Sequence, residues 1–226
     1  RRTTIMPDYL PLSPSLKNKF PGLAAQIIHF KDVSIKREVE ALEDYKEEIY
    51  VETRGRWEIE KLRDDPDFRA YRDFFWKLGT DPTKNRPAAE ALIRRVLNGR
   101  PIPKINTWVD AYNLVSIQTA IPIASFDADL IVGDLLMREA EAGEEFLGIA
   151  MKKPMILKGR EAVIQDDQRL VAIYPFRDAD HSKVTGDTRN VLMLLCGAPN
   201  IALETLEASA KVAVRVLTRF CGGTAE

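Results

Sequence analysis

The stretch Ile105–Asp127, INTWVDAYNLVSIQTAIPIASFD, carries only two charges, Asp110 and Asp127, and its reading decides the fold. Thr107 followed three residues later by Asp110 is a helix start signal, in which both side chains accept bonds from unpaired N–H groups of the first turn. A helix is therefore expected from about Trp108. Trp108, Ala111, Tyr112, Val115 and Thr119 follow helical spacing, while Leu114, Ile117 and Ile121 recur on another side. A helix apolar nearly all round is a buried one. Its polar exceptions, Asp110 and Asn113, need inward partners, either backbone or ligand. Pro122 closes it: the residue before a proline is held out of the helical region, so Ile121 turns the chain into an extended segment reaching Phe126 and Asp127.

The whole chain has 226 residues, 45% hydrophobic and 30% charged, which suits one large domain better than two small ones. A formal charge of -1 excludes nucleic-acid coating over the whole surface and leaves room for a basic patch. Cys196 and Cys221 have neither metal-ligand spacing nor a multi-cysteine framework, so both are expected as reduced thiols of a cytoplasmic protein. No run approaches the roughly 18 apolar residues of a membrane span, and the N-terminus has no signal pattern. Membrane and DNA are not expected partners.

Residues 1–22, with Pro7, Pro11, Pro14 and Pro21, read as a tail over the surface. Residues 23–33 alternate like a strand, with His29 in a structural role. From Ser34, the set Val39, Leu42, Ile49 and Val51 against Lys36, Glu40, Glu43, Lys46 and Glu47 predicts an amphipathic helix with a solvated charged face. Trp57 to Leu78 supplies an aromatic-rich helical segment or pair, divided at Pro66 and stopped by Gly79. The charge then changes sign. Lys84, Arg86, Arg94, Arg95, Arg100 and Lys104 face a single acid, Glu90, and a short helix after Pro87 is expected to offer Arg94 and Arg95 outward. Guanidinium groups grip phosphates with paired bonds, so these six are the candidate RNA contacts, against the plainer reading of a solubilising surface.

After the central helix come short apolar runs separated by Gly- and Asp-rich turns: 135–139, 145–149, 155–157, 162–165, 170–176 and 188–195. A closing helix is expected over 203–220, stopped by Gly222 and Gly223. Helices that precede and follow a sheet-rich half define an α+β protein, with a mixed or antiparallel sheet flanked by helices, rather than a parallel nucleotide-binding sheet. Phosphate-loop, dinucleotide, zinc-protease, nucleophile-elbow and paired-CxxC motifs are all missing, so no cofactor is expected. The remaining polar cluster is Arg177 to Lys183, RDADHSK, at a strand exit. There His181 is a candidate general base or metal ligand. Asp127-Ala-Asp129 echoes Asp178-Ala-Asp180, yet turn-forming aspartates explain both without a metal.

Three blocks together carry a resemblance. Val109–Asp127, VDAYNLVSIQTAIPIASFD, aligns without a gap with VDVTNYVMLELGQPMHAFD of the tRNA-editing B3/B4 domain of the phenylalanyl-tRNA synthetase beta subunit. Gly133–Glu144, GDLLMREAEAGE, resembles that family's glycine, strand, arginine, Gly-Glu pattern, and AVIQDD followed by DHSKVTGDTRNVLML continues it to Leu194. The resemblance covers roughly residues 86–220, and the helix-rich front resembles stand-alone relatives of the domain. It implies a helical N-terminal extension over residues 1–80, a single B3/B4-like domain over 81–226, and no aminoacylation core.

The same resemblance implies site residues. The family's pocket Thr and His fall at Tyr112 and Ala124, its Glu at the shorter Asp180, and its first floor glycines at Tyr174 and Pro175. Asp110, Asn113, Asp127 and His181 keep the pattern. Asp180 then orients a water and Arg177 steadies the oxyanion or a terminal phosphate, with Asp110, Tyr112, Asn113, Ala124, Asp127, Tyr174 and His181 toward the substrate. Three readings stay open: an aminoacyl-tRNA deacylase acting in trans, a non-catalytic module binding tRNA or an aminoacyl end, and a binder of a small amino-acid-like ligand.

Overall fold

The computed structural model describes residues 7–226. In chain order its elements are β1 (Asp8–Tyr9), α1 (Pro14–Lys19), β2 (Ala25–Lys31), α2 (Glu40–Arg56), α3 (Pro66–Lys77), α4 (Ala88–Leu97), α5 (Thr107–Thr119), β3 (Ile123–Asp127), β4 (Leu136–Glu139), β5 (Glu145–Phe146), β6 (Met155–Ile156), β7 (Ala162–Gln165), β8 (Leu170–Tyr174), β9 (Arg177–Asp178), β10 (Val191–Cys196), α6 (Leu203–Cys221) and β11 (Thr224–Ala225), with 3-10 turns at Leu62–Asp64, Ala128–Leu130 and Asp180–Ser182. This is an α+β fold. One sheet runs β1-β2-β10-β3, with β11 also on β2; a second runs β4-β7-β8-β9; β5 and β6 form a separate ribbon, and all these pairings are antiparallel.

The central helix α5 exists because almost nothing on it suits water. Trp108, Ala111, Leu114 and Val115 are wholly buried, and the Trp108 ring meets Phe30 of β2 edge-on at 5.0 Å. Its cap differs from the expectation. Asn106, not Thr107, accepts the Val109 N–H at 2.9 Å, while the Thr107 hydroxyl accepts the Lys36 N–H at 3.0 Å. The helix stops at a left-handed Ala120, φ 59°, two residues before Pro122. β3 then pairs with β10 in the register Ala124 to Leu194, and β10 pairs with β2 through Leu194 to Ile27. Every residue of β10 is buried, as expected of a strand covered on both faces.

The front of the chain is built into this sheet. β2 lies between β10 and the β1 and β11 edge, and one cluster of buried side chains extends from Leu10 to Cys221. Residues 1–6 of the expected tail lie outside the described residues; the remainder is no loose tail, because Leu10, Leu16 and Phe20 are buried. The helix expected from Ser34 begins only at Glu40. Ser34 gives its N–H to the Cys221 carbonyl at 2.7 Å and Lys36 gives its own to Thr107, so these donors are spent on tertiary contacts instead of a first turn.

Lys46 is the larger correction. The pattern of α2 places it on the solvated face, yet only 5% of it is exposed. Its Nζ sits 2.7 Å from Asp110 Oδ2 and 2.8 Å from Glu43 Oε1, and Asp110 Oδ1 accepts the Ile105 N–H at 2.9 Å. Burial pulls the ammonium pKa down, but the bonds to Asp110 and Glu43 outweigh that and hold it above the ordinary lysine value. Removing one partner of such a pair leaves a dry charge, which costs roughly 3–5 kcal/mol, whereas replacing both by apolar groups is often near neutral. Lys46→Ala is therefore expected to lose about 3 kcal/mol in urea denaturation, and Lys46→Met with Asp110→Leu to recover most of it.

Candidate functional site

Three segments converge at the free edge of β3. From α5, the Trp108 indole N–H donates to Ser125 Oγ at 2.8 Å and fixes the helix against the strand. From β9, the Asp178 carboxylate accepts the Ser125 N–H at 3.2 Å, and Phe126 bridges to Lys183 just beyond the turn at Asp180–Ser182. Tyr112 stands one helical turn past Trp108 with Asp178 among its neighbours. Burial, and then the charges of Asp178 and Asp110, raise its hydroxyl pKa. The loop after β5 closes the other side: Ile149 N–H donates to the Asp178 carbonyl at 3.0 Å, and Asp180 N–H to the Leu147 carbonyl at 3.1 Å.

Asp178, absent from the residues expected at the site, is a further functional candidate. Burial pushes its carboxyl up from 3.8 to about 7, against the opposing bond from Ser125. The group thus changes charge near neutral pH, which suits proton exchange with a bound substrate. The signal available was the RDAD run itself, in which a two-residue strand aims alternate side chains to opposite sides. Asp180, on the following turn, is half-exposed and paired with Lys183 at 2.7 Å. Arg177 donates to the Ile149 carbonyl at 3.0 Å with its guanidinium 5.3 Å from the Phe176 ring centre. His181 Nε2 lies 2.9 Å from the Leu170 carbonyl and so donates to it; Nδ1 is buried without a partner among the described residues, as is Ser182 Oγ.

The structure brings Tyr112, Ala124, Arg177, Asp180 and His181 into this neighbourhood, with Asn113 beside Tyr112 on the half-buried part of α5. Three other expected substrate residues are turned to structural work. Asp110 faces Lys46. Asp127 accepts the Thr188 hydroxyl at 2.7 Å and the Asp129 N–H at 3.1 Å, which closes a turn. Tyr174 is buried between the sheets and α3, where its hydroxyl donates to the Gly197 carbonyl at 2.6 Å and its ring lies 6.3 Å from Phe74.

The basic segment also differs from its expectation. Arg94 does not face outward: it donates to Glu90 at 2.7 Å, and Arg72 grips the same wholly buried carboxylate with bonds of 2.7 and 2.8 Å. Burial raises the Glu90 pKa, but the two arginines outweigh it and hold the carboxyl below its ordinary value. Arg86 lies 3.8 Å from Glu90, Arg95 bonds the Pro101 carbonyl, and Lys104 pairs with Glu38 at 2.7 Å. Lys84 and Arg100 are exposed. Among the described residues, no three His, Cys, Asp or Glu side chains converge as a metal site. No helix among them is long and apolar enough to cross a membrane. Cys196 and Cys221 are free, and burial pushes the Cys221 thiol up to about 11.

Comparison with known proteins matches this arrangement to a family. The model of the B3/4 domain covers residues 70–222, and the chain belongs to that family. It is 29% identical over 127 residues to the phenylalanine–tRNA ligase beta subunit of Mycoplasma genitalium, a match covering 56% of this chain and 15% of that protein. With the corresponding subunit of Psychrobacter arcticus it is 35% identical over 88 residues, 39% of this chain and 11% of the relative. The chain thus matches only a small part of these relatives' length. An N-terminal fragment of the phenylalanyl-tRNA synthetase beta subunit from Pyrococcus horikoshii shares the fold with a TM-score of 0.50 at 16% identity, over 96% of this chain and 49% of that one.

Asp178 sets a pH dependence. Between about pH 4 and 7 the unfolded chain has released this proton while the folded protein keeps it, so its stabilising effect is complete below about pH 4, declines as pH rises to about 7 and is flat above. Asp178→Asn removes that slope. Relative to the wild type, the variant is expected to gain about 2 kcal/mol in urea denaturation on going from pH 5 to pH 8. An unchanged difference would place the carboxyl's titration elsewhere.

Proposed function

We propose that the protein binds the aminoacyl end of a tRNA at the seam of α5, β3 and β9 and hydrolyses the ester of a mischarged amino acid. The observation that carries this reading is the Asp178 carboxyl, which takes the Ser125 N–H of β3, acts on the Tyr112 hydroxyl of α5, stands two residues before Asp180 and titrates near neutrality. Membership of the B3/4 family supports it. The chemistry asked of the site is modest. A water held by Asp180 attacks the ester carbonyl, the tetrahedral oxyanion collapses, and the ribose oxygen leaves with a proton. Asp178 is placed to exchange that proton through the bound water, and the Arg177 guanidinium to face negative charge.

A second reading, binding without cleavage, draws on a specific observation: Asp180 is held by Lys183, and Tyr112 fills space where the family carries a threonine. Release of amino acid from a panel of correctly and incorrectly charged tRNAs separates the two. Selective release, reduced at least about a hundredfold in Asp180→Ala with binding retained, is the expected result. Binding without release from any member supports the second reading. Neither binding nor release would leave a small amino-acid-like ligand as the occupant.

A further inference from the structure

Leu147–Arg160 reads LGIAMKKPMILKGR, four basic residues without an acid. Lys152 and Lys153 are exposed, and neither has a carboxylate within ion-pair distance among the described residues. This contrasts with the segment 84–104, where Glu90, Glu38 and the Pro101 carbonyl already occupy most of the cations. The loop is also fastened to the candidate site. Gly148 bridges to Ala179, flanked by the bonds from Ile149 to Asp178 and from Asp180 to Leu147. A β-carbon at Gly148 would collide with the Arg177 side chain, so glycine is what lets the arginine lie across the loop and reach the Ile149 carbonyl. Met151, immediately before the lysines, crowds that same side of Gly148.

Resting on the function proposed above, we infer that this loop is the RNA-holding surface, with Lys152, Lys153 and Arg177 gripping phosphates of the single-stranded end that delivers the ester. Any chain whose terminal ribose reaches Asp180 must pass beside residues 147–149, because these are hydrogen-bonded to the Asp178–Asp180 segment. The apolar character of the loop fits the same partner. Leu147, Ile149 and Ile156 are 41%, 38% and 56% exposed beside the lysines, and Arg177 lies over the half-buried Phe176. Unpaired bases present open faces to such a surface, while a duplex keeps its bases stacked away from it.

The test is binding of uncharged tRNA by the full chain across a salt series. Lys152→Glu with Lys153→Glu is expected to weaken binding at least about tenfold and to lower the slope of log affinity against log salt by about 1.4, two single-strand phosphate contacts at about 0.7 each. Arg177→Gln is expected to weaken it less. Lys17→Glu with Lys211→Glu, an equal change of charge elsewhere on the surface, should stay within about twofold. Thermal unfolding checks that each variant is folded. An equal loss in the Lys17 and Lys211 variant, or a larger loss in Arg86→Glu with Arg100→Glu, overturns the inference alone. Failure of the wild type to bind tRNA overturns it together with the proposed function, and binding of anionic vesicles in place of tRNA reassigns the surface to a membrane.

Discussion

An ammonium and a carboxylate, Lys46 and Asp110, meet at 2.7 Å with 6% and 2% of their side chains exposed, and the placement of α5 follows from them. Two buried charges are tolerable only when well-placed further hydrogen bonds supplement their mutual attraction. Here Glu43 takes a second ammonium proton and the Ile105 N–H occupies the other Asp110 oxygen, so the arrangement ties α2 to α5 and fixes how the chain enters the helix. Thr107, the first residue of α5, holds the Lys36 N–H, which explains why α2 starts late. With rotation and entry set, Trp108 falls on Ser125 and Tyr112 falls toward Asp178.

Four aspartates on these elements have parted ways by environment. Asp110 is dry and paired with a cation. Asp127 is consumed by Thr188 and the Asp129 N–H in a turn. Asp180 is half in water and paired with Lys183. Asp178 alone is largely removed from water without a cation, with one backbone N–H for compensation, and its carboxyl rises to about 7.

Much of this was legible from residue type. The apolar circumference of α5, the alternation of β2 and the short runs of the second sheet identify the α+β architecture, because periodicity reports burial directly. What escaped was set by partners distant in sequence. Lys46 looks solvated within its acidic run, since nothing local reveals Asp110 sixty-four residues away. Arg94 looks outward-facing until Arg72 of α3 is seen to share Glu90, although the four-residue spacing of Glu90 and Arg94 was visible. Asp127 and Tyr174 lie in pattern-bearing positions, and nothing local reveals the Thr188 hydroxyl and the Gly197 carbonyl that their side chains meet. The lysines after Gly148 carried no motif; their interest arises from the hydrogen bonds that set their loop beside Asp178.

On the proposed function, ligand meets this protein where α5, β3 and β9 join. The most direct measurement is a backbone NMR titration with a hydrolysis-resistant aminoacyl-adenosine, the amide analogue of the tRNA terminus. The largest shifts are expected at Tyr112, Asn113, Ala124, Ser125, Asp178 and Asp180. Saturable shifts confined to the cavity of about 330 Å³ beside Arg138, Gln165 and Asp166, with the seam unmoved, would contradict it.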